Sequence, residues 1–342
     1  MFKDNALIIK IKSLYGNRLK EEDYDQLLKM KSIQELFLYL KSHNRYKELL
    51  KDVSGDNLHR KDLEILFRKS NFEIMLKLRN FLKMKEDKFY NIFIYSSEKD
   101  LILDKIHDIK NQINIKEIIN LPNDYQKYTK INIDDLLNSK NLEELNKSIE
   151  NSLYKQILNP YKSIENSNIN FYLFENLFEN KYYEIVFEII NKYFKKKEKD
   201  ELNNLFNSII ELDNIIKIYR LKKFYNYDND FIRASLIDLP QNSSRKVLEV
   251  LNLNNPDQIY KDLKNSKYQY YLDDNDNIYI EYFEDYIKYY DARKNLYFSN
   301  KASKVFVSYL LLNELEMKNI FHLIEGIRYN LSEKEIRKLL VY

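Results

Sequence analysis

The sequence predicts an all-α fold, and three observations carry that expectation. Glycine and proline are scarce, at 3 and 4 residues in a chain of 342. Apolar residues recur at helical rather than strand spacing over long windows. A block of short and long helical patterns recurs three times along the chain.

Scarcity of the two strongest helix breakers leaves long uninterrupted runs that suit helices. Turn-rich β-sandwiches and glycine-dependent phosphate loops both need more of them. In residues 176–194, Leu177, Phe178, Tyr182, Ile185, Val186 and Ile189 keep the i, i+3, i+4, i+7 pattern of an amphipathic helix. In 302–315, Val305, Phe306, Tyr309, Leu310 and Leu312 make a broader apolar face, as for a more buried helix. The stretch 276–283 could pass for a strand by its alternation. The repeat makes it the start of a long helix instead.

The repeated block opens with a short capped helix. Its copies begin at Ser32, Asn141 and Asn255, residue types that cap helix N-termini. Acidic or amide residues follow in the first turn, where the helix dipole favours negative charge. Pro256 is expected at the first helical position, where proline is tolerated. Tyr46, Tyr154 and Tyr268 follow these helices and are expected to anchor the exit loops in the core. A long apolar pattern is headed by Glu64, Glu175 and Glu284 in turn. A further helix then starts near an acid-x-x-Asn signature: Asp100–Leu103, Glu211–Asn214 and Glu316–Asn319. Glu64 to Asp100 and Glu175 to Glu211 are both 36 residues, and Glu284 to Glu316 is 32. Asp4-Asn5-Ala6-Leu7 reads as one more copy of the signature helix, standing alone at the start. The expected organisation is residues 1–30, then three helical units at 31–130, 131–250 and 251–342. Residues 1–28 are expected to pack against the last unit, so that the ends of the chain meet.

Composition excludes several classes of chemistry. No cysteine is present, which removes disulfides, thiolate nucleophiles and thiolate metal sites. Lys and Arg total 56 against 53 Asp and Glu, a net charge of +3, with both signs mixed along the chain. A nucleic-acid binder would segregate its basic residues into a stripe. The densest run, Lys195-Lys196-Lys197-Glu198-Lys199, is short and interrupted by acid. No window approaches the roughly 20 apolar residues of a membrane span, so any work at a membrane is expected through protein partners. No P-loop pattern occurs. The four histidines, His43, His59, His107 and His322, lack metal-ligand spacing. His322 lies in an apolar run and is expected to be partly buried and hydrogen-bonded. Adjacent acids such as Glu143-Glu144 and Asp273-Asp274 are unavoidable in a chain with 53 acids. No cofactor and no catalytic residue is expected.

Three stretches carry a family resemblance. Near the N-terminus, Asn5, Gly16-Asn17-Arg18-Leu19 and Asp23-Tyr24-Asp25-Gln26-Leu27-Leu28 form the first. The second is Glu211-Leu212-Asp213-Asn214-Ile215 with Arg220-Leu221-Lys222 downstream. The third is Tyr309-Leu310, Asn313-Glu314, Glu316 with Asn319-Ile320, Gly326 and Ser332-Glu333-Lys334-Glu335-Ile336. In this order, over the whole length, the chain resembles the C-type central-stalk component of the V-type and A-type rotary ATPases, the counterpart of the d-type component of the eukaryotic V-ATPase. It departs from the pattern at Leu103, where the other copies have Asn. His322 and Arg328 stand where Arg and Lys are more usual.

The resemblance implies three pseudo-symmetric helical domains forming a funnel or socket. It implies a cytoplasmic, non-catalytic protein between the central-stalk subunits and the membrane rotor ring of proteolipid subunits, passing torque between them. The signature residues Glu211, Asn214, Glu316 and Asn319 read as structural, each acid and amide sharing one helix face. The alternative is a polar cluster facing a partner. Arg220, Lys222, Lys223 and Arg328 are the candidate partner-binding residues, against the plainer reading of solvated cations at helix C-termini. A generic helical-repeat scaffold would also explain the repeats and the charge balance, though not the lone first helix.

Overall fold

With so few breakers, apolar periodicity runs on unchecked, and the helices are long. The computed structural model describes residues 2–54, 60–81, 88–113, 122, 124–239, 245–265, 268–269 and 280–342. Among them every regular element is helical. In chain order the first five are α1 (Phe2–Gly16), α2 (Glu21–Leu27), α3 (Ile33–Ser42), α4 (Lys47–Leu50) and α5 (Arg60–Phe81). Then come α6 (Ile92–Asn111), α7 (Ile133–Asn138), α8 (Leu142–Ser148), α9 (Phe171–Tyr193), α10 (Lys196–Tyr225), α11 (Asn229–Ala234) and α12 (Arg245–Leu251). The last are α13 (Asp257–Lys264), α14 (Ile280–Phe298), α15 (Ala302–Arg328) and α16 (Glu333–Arg337).

The chain divides into two compact units. One joins Met1–Met84 to Asp257–Tyr342, and the other is the continuous segment Lys85–Pro256. The first 31–130 repeat is therefore shared: its early part packs with the last repeat and its later part with the middle one.

In the first unit α15 is the organising helix. Val305, Phe306, Tyr309, Ile320, Leu323 and Ile324 are all buried on it. α14 folds back along it, and α1, α3, α5 and α16 also pack against it. The core continues through Leu7 and Ile11 of α1, Leu36 and Leu40 of α3 and Phe67 of α5. Gly326 lets α16 approach: a Cβ there would lie 2.4 and 2.6 Å from Ile336 Cγ1 and Cδ1. In the second unit α6 packs on α9, α9 on α10, and α10 on α12. Phe174, Phe178, Val186, Ile190, Ile210 and Ile215 fill that core.

The short helices are capped as their residues dictate. Ser32 Oγ accepts from Glu35 N at 3.1 Å, and Glu35 Oε2 accepts from Lys31 N at 2.8 Å. Asn141 Oδ1 accepts from Glu144 N at 2.9 Å, and Glu144 Oε2 accepts from Lys140 N at 2.7 Å. The second copy thus reproduces the first, atom for atom at the carboxylate. Tyr46, Tyr154 and Tyr268 are all buried. Tyr154 donates its hydroxyl to the Tyr95 carbonyl at 2.8 Å.

Two local expectations need correction, and a third is met as far as the described residues reach. The acid-x-x-Asn signatures do not sit near helix starts. Glu211 and Glu316 lie in the middle of α10 and α15, because nothing between the preceding apolar run and the signature interrupts the helical period. Pro256 stands one residue before α13 rather than at its first position. The helix expected over 276–283 is seen from Ile280 onward, and residues 276–279 lie outside the described residues.

Gly326→Ala should destabilise the first unit by about 1 kcal/mol, since overpacking at about 1–3 kcal/mol outweighs the ~1 kcal/mol gained in helix propensity. In an Ile336→Ala background the same change should turn stabilising. Urea unfolding of the four chains tests this, and destabilisation of equal size in both backgrounds would contradict it.

Candidate functional site

The signature residues of α15 sit at a buried polar centre. Glu316 accepts hydrogen bonds from the backbone N–H of Leu19, at 3.2 Å, and from the Tyr46 hydroxyl. Its Oε1 also pairs with Arg45 Nε at 2.5 Å, both side chains being almost wholly enclosed. Arg45 donates a further bond to Asn313 Oδ1 at 2.7 Å. Burial works most strongly against the Arg45 charge, but the Glu316 carboxylate, Tyr46 and Tyr309 together outweigh it and hold the guanidinium protonated. Burial, with Glu316 beside it, pushes the Tyr46 hydroxyl well above its ordinary range. One carboxylate therefore ties the turn after α1, the turn between α3 and α4, and the middle of α15.

Asn319, three residues on, faces the chain's last residues. Its Nδ2 donates to the Val341 carbonyl at 2.7 Å, and its Oδ1 accepts from Val341 N at 2.9 Å. Nδ2 also reaches the Tyr24 hydroxyl at 3.1 Å. Tyr24 in turn stacks on Tyr342, with centroids 4.2 Å apart. The amide completes both backbone hydrogen bonds of one residue, as a strand neighbour would. Next to it lies a space of about 20 Å³ bounded by Tyr15, Leu19, Tyr24, Glu316 and Asn319. That is room for about one water molecule and no more.

The second unit repeats the device. Asn214 Nδ2 donates to the Ile237 carbonyl and Oδ1 accepts from Ile237 N, both at 2.8 Å. Asn180 Oδ1 accepts from Asp238 N at 2.7 Å, fixing the next residue. Glu211 is buried beside Asn214 on α10. The partner of each signature amide is thus the backbone of a non-helical segment beyond a short helix, α11 or α16. At the degenerate copy Leu103 is simply buried. There Lys99 pairs with Asp100 at 3.3 Å and with Glu179.

Glu98, on α6, escaped sequence reasoning. It is buried, and Thr129 Oγ1 donates to it at 2.6 Å. Thr129 Oγ1 also accepts from Ile131 N, so the carboxyl holds the 129–131 backbone to α6. Burial pushes its pKa up from 4.5 to about 7, against the opposing effect of Thr129. Arg45 was missed too. Its only sequence signal was its place beside Tyr46.

The candidate partner-binding cations have unequal surroundings. Lys222 Nζ donates to the carbonyls of Leu251 and Leu253, at 2.6 and 2.8 Å, closing the C-terminal end of α12. Burial lowers its pKa. Arg220 and Lys223 are exposed on α10. Arg328 is exposed at the end of α15, its guanidinium 5.7 Å from the Tyr329 ring centre. Arg220, Lys222 and Lys223 belong to the second unit and Arg328 to the first. His322 is half-buried, with Nδ1 2.8 Å from the Leu339 carbonyl oxygen, and burial lowers its pKa. Among the described residues no group of three or more His, Asp or Glu is placed to hold a metal. His59 and Asp273-Asp274 lie outside the described residues.

The arrangement fixes separate chain segments onto the middles of two long helices. A model of the family described as ATP synthase (C/AC39) subunit matches residues 8–339, nearly the whole chain. No curated protein matches it closely enough to count.

Two outcomes follow from the geometry. Glu316→Ala should cost about 3–5 kcal/mol by leaving Arg45 buried and unpaired, while Arg45→Met with Glu316→Leu should cost distinctly less. Chemical denaturation reads both, and equal losses would count against a paired charge. For Glu98 the folded pKa lies above the unfolded one, so the group favours the folded state below about pH 4.5. That contribution fades as pH rises and becomes a full penalty above about pH 7, on the order of 3 kcal/mol across the window. Glu98→Gln should flatten this slope between pH 4.5 and 7. An unchanged profile would show that the carboxyl is ionised when folded.

Proposed function

We propose, for a chain that belongs to the ATP synthase (C/AC39) subunit family, that it is the non-catalytic central-stalk adaptor of a rotary V/A-type ATPase. In this reading it couples the central rotor shaft to the membrane rotor ring during ATP-driven ion transport or ATP synthesis. The family match over residues 8–339 is the observation that carries it.

The mechanism is mechanical. Units 31–130, 131–250 and 251–342 form a three-domain socket, with residues 1–30 against the last. The socket grips the shaft and rests on the ring. Torque transmission needs parts that do not yield, and the internal bonding supports that demand. The middles of α10 and α15 are each pinned by an amide to a non-helical segment, and α15 carries a buried ion pair as well. Arg220, Lys223 and Arg328 are the exposed cations for partner contact, and Lys222 acts indirectly by holding α12 to α10. No described helix is long and apolar enough to cross a membrane. The adaptor is held at the cytoplasmic face by its protein partners.

Purified full-length chain should co-purify with the central-stalk subunits and with the detergent-solubilised proteolipid ring, and should hydrolyse no ATP alone. Binding to neither would sink the proposal and leave a scaffold for other partners. A steep loss of binding to nucleic acid with salt would point instead to an RNA- or DNA-binding protein.

A further inference from the structure

Arg18 and Arg293 of the first unit lack the carboxylate that Arg45, Arg245 and Arg337 each pair with. Among the described residues neither forms an ion pair, although both are half-buried. Arg18 follows α1 and donates one bond, to the Tyr15 carbonyl at 3.3 Å, with its guanidinium 4.3 Å from the Tyr15 ring centre. Arg293, on α14, donates one bond to the Tyr289 hydroxyl at 3.4 Å, with its guanidinium 5.8 Å from that ring centre. A guanidinium carries five N–H donors in a planar fork, so most of each fork is uncommitted.

Two rings bring these arginines together. Tyr15, Arg18 and Tyr289 all bound the narrow space beside Glu316, which is not closed off from solvent. Tyr297 meets Tyr15 edge-on, centroids 6.1 Å apart, and its carbonyl accepts from Lys12 Nζ at 3.0 Å, which ties the end of α14 to α1. Tyr15 is 4% exposed, and its hydroxyl forms no hydrogen bond of normal geometry, with the Tyr289 hydroxyl beside it. Burial pushes the pKa of that hydroxyl up, and Arg18 and Arg293 are both close enough to oppose the shift. It therefore stays an O–H donor, buried in the field of two guanidinium charges. A buried donor without an acceptor is costly to keep, and so many donors left over call for an acceptor from outside the chain.

The chemistry narrows that acceptor. The space admits a group about the size of one water molecule, which suits a carboxylate oxygen. A carboxylate also matches the guanidinium fork bidentately, and Tyr and Arg are enriched at the energetic centres of protein interfaces. Glu316 lines the same space, but Arg45 neutralises it. Asp291 stands two residues before Arg293, a spacing that does not share a helix face. Nucleic acid is the weaker fit, because Tyr15 and Tyr289 are buried and offer bases no open face.

We propose that Arg18, Arg293 and the Tyr15 hydroxyl form a receptor for the carboxylate of one acidic side chain of a partner protein. This rests on the adaptor reading and specifies which surface of the first unit meets the stalk or the ring. The carboxylate accepts from the two guanidinium forks and from the Tyr15 hydroxyl.

The test uses the full-length chain, the purified central-stalk subunits and the detergent-solubilised ring. Arg18→Gln with Arg293→Gln should weaken binding to stalk or ring at least tenfold and reduce its salt dependence. Tyr15→Phe removes the hydroxyl alone. It should weaken the same interaction about tenfold, the size of a hydrogen bond to a charged group, while the urea midpoint of the free chain stays the same or rises. A lower midpoint with unchanged affinity would make the hydroxyl an internal structural group and overturn its part in the receptor. Unchanged affinity of both variants for stalk and ring overturns the receptor while the adaptor reading stands. Failure of the unsubstituted chain to bind either partner overturns both. Inorganic phosphate serves as the competing probe: saturable binding to the free chain by calorimetry, lost in the glutamine variant, would assign the cluster to a phosphate ligand and overturn the proposal.

Discussion

Much of the first unit depends on one buried carboxylate. Glu316 would be expensive to enclose alone, since a charge in a low-dielectric interior keeps little of its hydration. It is enclosed because Arg45, Tyr46 and the Leu19 N–H all converge on it. These partners come from segments nearly the whole chain apart, so the ion pair selects one arrangement of α1, α3, α4 and α15. A hydrophobic substitute could match its stability without matching that selectivity. The apolar core around it, from Leu27 and Phe37 to Ile320 and Ile324, is dense but less discriminating.

The signature amide complements the carboxylate. An Asn presents an amide donor and an acceptor oxygen side by side on a flat group, matching the acceptor and donor that a backbone residue offers. Asn214 and Asn319 use it identically, on Ile237 and Val341. In both places the chain leaves a long helix through a left-handed Asn, makes a short capped helix, and returns to the signature position. The repeat is therefore a structural module with its own hydrogen-bond closure, and the copy with Leu103 has lost that closure.

How much was legible depended on where the information lies. Caps at Ser32 and Asn141 and the buried tyrosines could be read directly, because a side-chain type and a local pattern determine each. The all-helical class followed from the missing Gly and Pro. Continuity of α10 and α15 through their signatures was not read, because acid-x-x-Asn looks like a helix start when taken alone. The amide's partner was illegible for another reason: a backbone N–H and C=O carry no residue identity, and Ile237 and Val341 resemble any other aliphatic residues. Arg45 and Glu98 failed similarly, since burial of a charge is a property of packing at a distance. Lys222 reads like a solvated cation at a helix end, yet its ammonium is bound to two carbonyls that belong to the α12 end.

The division of the chain has a consequence for its birth on the ribosome. The second unit is continuous, and all of its partners are available once Pro256 has been made. The first unit is not. Tyr24 waits for Asn319 and Tyr342, and Leu19 and Tyr46 wait for Glu316. At about 5–20 residues per second, the remaining stretch takes on the order of 5–20 s to synthesise. Throughout that interval the apolar faces of α1, α3 and α5 have no α15 to cover them. The nascent chain thus carries a finished middle and an unfinished beginning, and its opening segment is the part most in need of a chaperone.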